Sequence, residues 1–188
     1  MYRLMTWKKQ LTVPNILTTL RLLAIPVMAW CIYSDYNRYY TFLIFAAIWL
    51  TDCIDGYIAR HFNQVSDLGK VLDPLVDKLF QLTTATMMFV VGKLPLWVPI
   101  FMFAKEVVMI VGGAILWHRR TVVNSQWFGK LATVLFAAAF ASLFFLPHEK
   151  SYLSNYIFVV PIAASALALV KYAFFYLDSL WRHRAKDS

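Results

Sequence analysis

The sequence predicts an all-α integral membrane protein: a bundle of six transmembrane helices with a short N-terminal interfacial helix. Three observations predict it. The 188 residues are 61% hydrophobic and 17% aromatic, too apolar for an ordinary soluble domain. Six apolar stretches each reach the roughly 20 residues needed to cross a hydrocarbon core of about 30 Å. The basic residues gather at the ends of those stretches, as anchors facing lipid headgroups do.

Taken in order, the N-terminus mixes Leu4, Met5, Trp7 and Leu11 with Arg3, Lys8 and Lys9, a pattern that suits a helix lying in the membrane surface over residues 1–13. No cleavable signal peptide is expected there, since no continuous apolar core precedes a small-residue cleavage site. The six stretches follow over 14–33, 40–59, 71–91, 95–117, 127–146 and 153–177, and residues 179–188 form a polar tail. Short connections and the absence of a linker or internal repeat make residues 1–188 one domain. Cys31 and Cys53 fall inside apolar stretches and read as reduced, structural thiols.

The basic residues also set an orientation. Arg3, Lys8, Lys9, Arg60, Lys70, Arg119, Arg120, Arg182, Arg184 and Lys186 fall on one side, and only Arg38, Lys93 and Lys150 on the other. The first side should be cytoplasmic, with both termini, in a plasma or inner membrane. The net charge of +8 does not point to nucleic acid, because no basic patch is interleaved with stacking aromatics on a polar face. Arg21, Lys78, Lys105, Lys130 and Lys171 lie within apolar stretches, where cations are rare enough to be functional candidates. Lys78 reads as a local counter-ion of Asp77, Glu106 as the partner of Lys105, and Lys171 as a side chain reaching an interface.

Four of the ten acidic residues, Asp52, Asp55, Asp73 and Asp77, fall between residues 52 and 77 at the same end of the bundle. On a helix Asp52, Asp55 and Ala59 share one face, flanked by Gly56 and Arg60, while Gly69, Asp73 and Asp77 form a stripe on the next. A carboxylate at membrane depth costs at least about 2.5 kcal/mol, so four together require cations or protons. Hard oxygen donors without accompanying His or Cys suit magnesium, manganese or calcium. An ion or proton pathway would string such groups through the membrane, whereas these gather at one level. Acid pairs beside small residues and an arginine are what a two-metal phosphoryl-transfer site requires. Taken alone, Gly56 and Gly69 would read as helix-packing residues and Arg60 as a membrane anchor.

The order Asp52-x-x-Asp55-Gly56-x-x-Ala59-Arg60, eight residues, then Gly69-x-x-x-Asp73-x-x-x-Asp77 resembles the complete motif of the CDP-alcohol phosphotransferase family. Pro14-Asn15-x-x-Thr18-x-x-Arg21 followed by Pro26 is similar to the start of the bacterial phosphatidylglycerophosphate synthases of that family. The resemblance implies that an acceptor hydroxyl attacks the phosphate next to the diacylglycerol of CDP-diacylglycerol and releases CMP. It implies two divalent cations, Mg2+ or Mn2+, on Asp52, Asp55, Asp73 and Asp77, with Asp77 also the general base. Asn15, Thr18, Gly56, Ala59, Arg60 and Gly69 would border the cytidine diphosphate, and the protein would be a homodimer.

For the acceptor, Arg21, Lys105, Lys130 and Arg119 or Arg120 are candidates to hold a phosphate, which favours glycerol 3-phosphate. Gly129-Lys130-Leu131-Ala132-Thr133 resembles the G-K-x-K-T stretch of glycerophosphate-using members, but Ala132 replaces the second lysine. A cardiolipin synthase using phosphatidylglycerol is therefore the alternative acceptor reading. A cation transporter or a catalytically silent membrane partner is the alternative of another class.

Overall fold

The computed structural model describes residues 13–61, 69–118 and 127–184, without the side chains at 13–14, 53, 55–61, 70–71, 114–118, 127–128, 130, 172 and 174–184. The expected interfacial segment and most of the polar tail lie outside these residues, as do Arg119 and Arg120. What is described is helical, with no strand. The helices are α1 (Val13–Tyr33), α2 (Arg38–His61), α3 (Gly69–Val90), α4 (Trp97–His118), α5 (Trp127–Phe145), a 3-10 helix (His148–Leu153), α6 (Ser154–Ile157) and α7 (Val159–Arg184).

Apolar runs with few internal glycines become helices because a chain in lipid must satisfy its backbone groups within the segment. The last stretch departs from the expectation of one continuous helix. Pro161 has no N–H to offer the carbonyl of Ile157, so α6 ends there and α7 restarts after Phe158. The tight turns follow local rules too. Gly92 takes φ +73° between α3 and α4, while Asp35 takes φ 48° between α1 and α2, where a short polar side chain is tolerated.

On α1, Asn15, Thr18, Arg21, Ile25, Met28 and Ile32 are buried, while Ile16, Leu20, Leu23, Val27 and Trp30 are exposed. The two sets recur every three or four residues and mark opposite faces. One stripe is polar at its start and apolar beyond; the other is apolar throughout. The same inversion holds on α4, where Ile100, Phe103, Val107 and Ile110 are exposed while Glu106 is buried. Continuous apolar surface around buried charge is the arrangement a bilayer selects. Asn15–Tyr33 and His148–Lys171, with mean hydropathies of 1.7 and 1.9, are long and apolar enough to cross a membrane.

α1 lies along both α2 and α3, and these are the most extensive helix contacts. α5 packs on α7, and the two groups join through α2 with α5, α3 with α4, and α4 with α7. Aromatic rings fill the seams. Phe45 stacks on Phe80 with centroids 5.3 Å apart, and Phe140 meets Phe158, at the α6–α7 break, edge-on at 5.1 Å.

Packing rather than water drives helix association in lipid, so a Phe140→Ala cavity should cost about 2 kcal/mol even without a transfer contribution. Leu23→Ala, on the exposed face of α1, should change stability by less than about 0.5 kcal/mol. Unfolding of the two variants in detergent micelles compares them directly.

Candidate active site

The buried stripe of α1 reaches the acidic residues of both neighbouring helices. On α2 the stripe Thr41, Phe45 and Ile48 is buried and continues one turn later into Asp52, whose side chain is 38% exposed. Arg21 Nη1 forms an ion pair with Asp52 Oδ1. One turn earlier on α1, Thr18 Oγ1 donates a 2.5 Å hydrogen bond to Oδ1 of Asp73 on α3. The guanidinium and the hydroxyl thus draw one carboxylate from each side onto α1. Asp77 and Asp73 both act on Asp52 as neighbouring negative charges, which Arg21 offsets.

Asp77 is half-buried on α3, one turn after Asp73. Its two oxygens accept bonds of 3.0 and 3.1 Å from the Gln81 amide nitrogen, one turn further on. Gln81 was not among the candidates from sequence, although its i+4 spacing from Asp77 is visible there. Gly69, the first residue of α3, is buried, as is Asn15 at the start of the α1 stripe. Asp55, Gly56, Ala59 and Arg60 occupy the last turns of α2, and Lys130 the first turn of α5; their side chains lie outside the described set.

The basic candidates divide. Arg21, a candidate for the acceptor phosphate, is engaged with Asp52. Lys105, 2.7 Å from Glu106 Oε1, pairs as expected. Lys78 departs from expectation, since its ion pair is with Glu106 Oε2 on α4 and not with Asp77 beside it in sequence. Successive residues on a helix diverge by about 100°, so adjacency in sequence is a poor guide to pairing.

Among the described residues no three acidic, histidine or cysteine side chains make a metal cage; Asp55 is not among those side chains. The donor chemistry nevertheless fits hard divalent cations. Asp52, Asp73 and Asp77 offer only carboxylate oxygens, and each is oriented by a protein donor, from Arg21, Thr18 and Gln81 respectively.

Comparison with known proteins gives this arrangement a relationship. The chain is 34% identical over 139 residues to a cardiolipin synthase (CMP-forming) of Streptomyces coelicolor, covering 71% of this chain and 65% of that protein. It is 32% identical over 162 residues to a probable phosphatidylglycerophosphate synthase of Mycobacterium tuberculosis, covering 83% and 74%. A CDP-diacylglycerol–glycerol-3-phosphate 3-phosphatidyltransferase of Aquifex aeolicus is 27% identical over 165 residues, covering 86% of this chain and 92% of that protein. The sequence pattern of one family spans residues 11–176, taking in the α1 stripe, the four aspartates and the lysines of α4 and α5. With its acids drawn together on α1 and that pattern running through them, the chain belongs to the CDP-alcohol phosphatidyltransferase family.

Proposed function

We propose that this protein transfers the phosphatidyl group of CDP-diacylglycerol to glycerol 3-phosphate, forming phosphatidylglycerophosphate and releasing CMP in phospholipid biosynthesis. The observation that carries the reading is the pair of bonds from α1, Arg21 to Asp52 and Thr18 to Asp73, which bring acids of two helices to one end of an apolar bundle. The acceptor hydroxyl oxygen attacks the phosphate next to diacylglycerol, a new P–O bond forms, and the P–O bond to CMP breaks. Asp77 takes the hydroxyl proton, with Gln81 holding both carboxylate oxygens in place. Asn15, Thr18, Gly56, Ala59, Arg60 and Gly69 border the cytidine diphosphate. Lys105, Lys130, Arg119 and Arg120 supply positive charge for the acceptor phosphate, while Arg21 serves Asp52.

Asp52, Asp55, Asp73 and Asp77 would hold two divalent cations, Mg2+ or Mn2+, which when bound neutralise charge on the pyrophosphate. In this reading the chain crosses the membrane six times as a homodimer, with both termini and the site on the cytoplasmic face.

The test is CMP release by purified protein from CDP-diacylglycerol, with glycerol 3-phosphate, phosphatidylglycerol or no acceptor, with and without a chelator. Release that needs an acceptor and is stopped by chelation supports the transferase. No release with either acceptor would favour a transporter or a silent partner. Phosphatidylglycerol as acceptor is the second reading, and Ala132 favours it. That position is buried at 4% exposure and carries no charge, where the G-K-x-K-T stretch that residues 129–133 resemble has its second lysine. In either case Thr18→Val should weaken metal activation by about 10-fold to 100-fold, the usual scale for losing a donor behind a ligand. A metal titration of activity reads this directly.

A further inference from the structure

We infer that Glu106 is a positioning residue for acceptor recognition, its buried carboxylate gathering the ammonium groups of Lys78 and Lys105 into one cationic pair that receives the acceptor's phosphate. This rests on the phosphatidyl-transfer reading above. Glu106 is 7% exposed, in the middle of α4, and its two oxygens meet Lys78 from α3 and Lys105 from its own helix. Lys105 is nearly as buried and lies 5.8 Å from the ring centre of Phe136 on α5. The three side chains carry one net positive charge where α3, α4 and α5 approach the site.

Such a trio is poorly explained by stability. Buried ion pairs are often replaced by apolar residues at no loss, and charge at membrane depth is disfavoured further. Its geometry suits an anion. Each ammonium carries three N–H groups, and ion pairing with a single carboxylate cannot engage all six, which leaves donors for phosphate oxygens. Without the carboxylate the two cations repel, and their flexible stems carry them apart toward water. Lys78 is one-third exposed, so the pair is open on its side. Lys78 shares α3 with Asp77, its side chain leaving the helix about 100° round from that of Asp77.

The ligand chemistry is a phosphate on the acceptor, which either glycerol 3-phosphate or phosphatidylglycerol can bring. The experiment is steady-state kinetics of the full chain in mixed micelles with each acceptor in turn, for wild type, Glu106→Gln and Lys105→Gln. Both variants should raise the KM of the working acceptor by about tenfold while leaving the KM of CDP-diacylglycerol within about twofold. The double variant should raise the acceptor KM by less than the product of the two single effects, because part of what Glu106 does runs through Lys105. Unchanged acceptor KM in Glu106→Gln, or equal rises in both KM values, overturns the inference while the transferase reading stands. If Glu106→Gln does not fold, Lys105→Gln decides, since Glu106 keeps its partner Lys78 in that variant; an unchanged acceptor KM there overturns the proposal. Failure of wild type with both acceptors overturns the transferase reading and this inference with it.

Discussion

Asp73→Asn should reduce CMP release by at least about a thousandfold, the scale on which losing preorganised stabilisation of developing charge is felt. The substitution is chosen because it keeps the shape of the side chain. An asparagine oxygen can still accept the hydrogen bond from Thr18, so α1 and α3 stay in register. What is lost is one negative charge of the set that would hold the cations. Rate and stability should therefore separate, with turnover gone and the unfolding midpoint nearly unchanged. Normal turnover in a well-folded Asp73→Asn protein would overturn the assignment of the four aspartates.

Arg21→Met should have the opposite profile, a large loss of stability accompanied by loss of activity. Arg21 is 3% exposed, and its guanidinium pairs with the carboxylate of Asp52. Removing Arg21 leaves the Asp52 carboxylate without its counter-ion; because that side chain is 38% exposed and partly solvated, the expected cost is about 1–3 kcal/mol, below that of a fully buried pair. Asp52→Asn in the same chain should recover much of that stability without restoring turnover. Thermal unfolding and CMP release, measured on wild type, both single variants and the double, complete the cycle. A stable, active Arg21→Met would mean that the guanidinium contributes little to holding α1 against α2.

Much of this was legible in the residue order. The motif aspartates, the apolar stretches and the polar start of the α1 stripe are local, periodic signals, and helix geometry carries them into space unchanged. The relation between helices was not legible. α2 and α3 are consecutive, and the natural expectation is that they pack their acidic faces directly against each other. Instead each is tied to α1, through bonds that span 31 residues from Arg21 to Asp52 and 55 from Thr18 to Asp73. No short-range pattern encodes which helix fills a seam, because that depends on the fit of side chains far apart in the chain. Arg21 illustrates the consequence. A buried cation on the first helix reads equally well as a docking point for substrate phosphate or as the partner of a distant acid.

Lys78 and Glu106 show the same limit at shorter range. Adjacent charges invite pairing on paper, and for Lys105 and Glu106 that holds at 2.7 Å. Asp77 and Lys78 are equally adjacent, yet one bonds Gln81 along its own helix and the other crosses to α4. Which neighbour a charge chooses is decided by the facing helix.

The dependence of the site on its first helix bears on how the chain enters the bilayer. As α1 emerges during synthesis it carries a guanidinium whose carboxylate partner lies 31 residues downstream, so by itself it is an incompletely neutralised span. If the six-span proposal holds, stable residence of α1 in lipid waits for α2, and the hydroxyl of Thr18 finds Asp73 only once α3 has followed. The first three helices should settle as one cooperative unit, and a nascent chain halted before Asp52 should be extracted from membranes far more easily than one halted after Asp77.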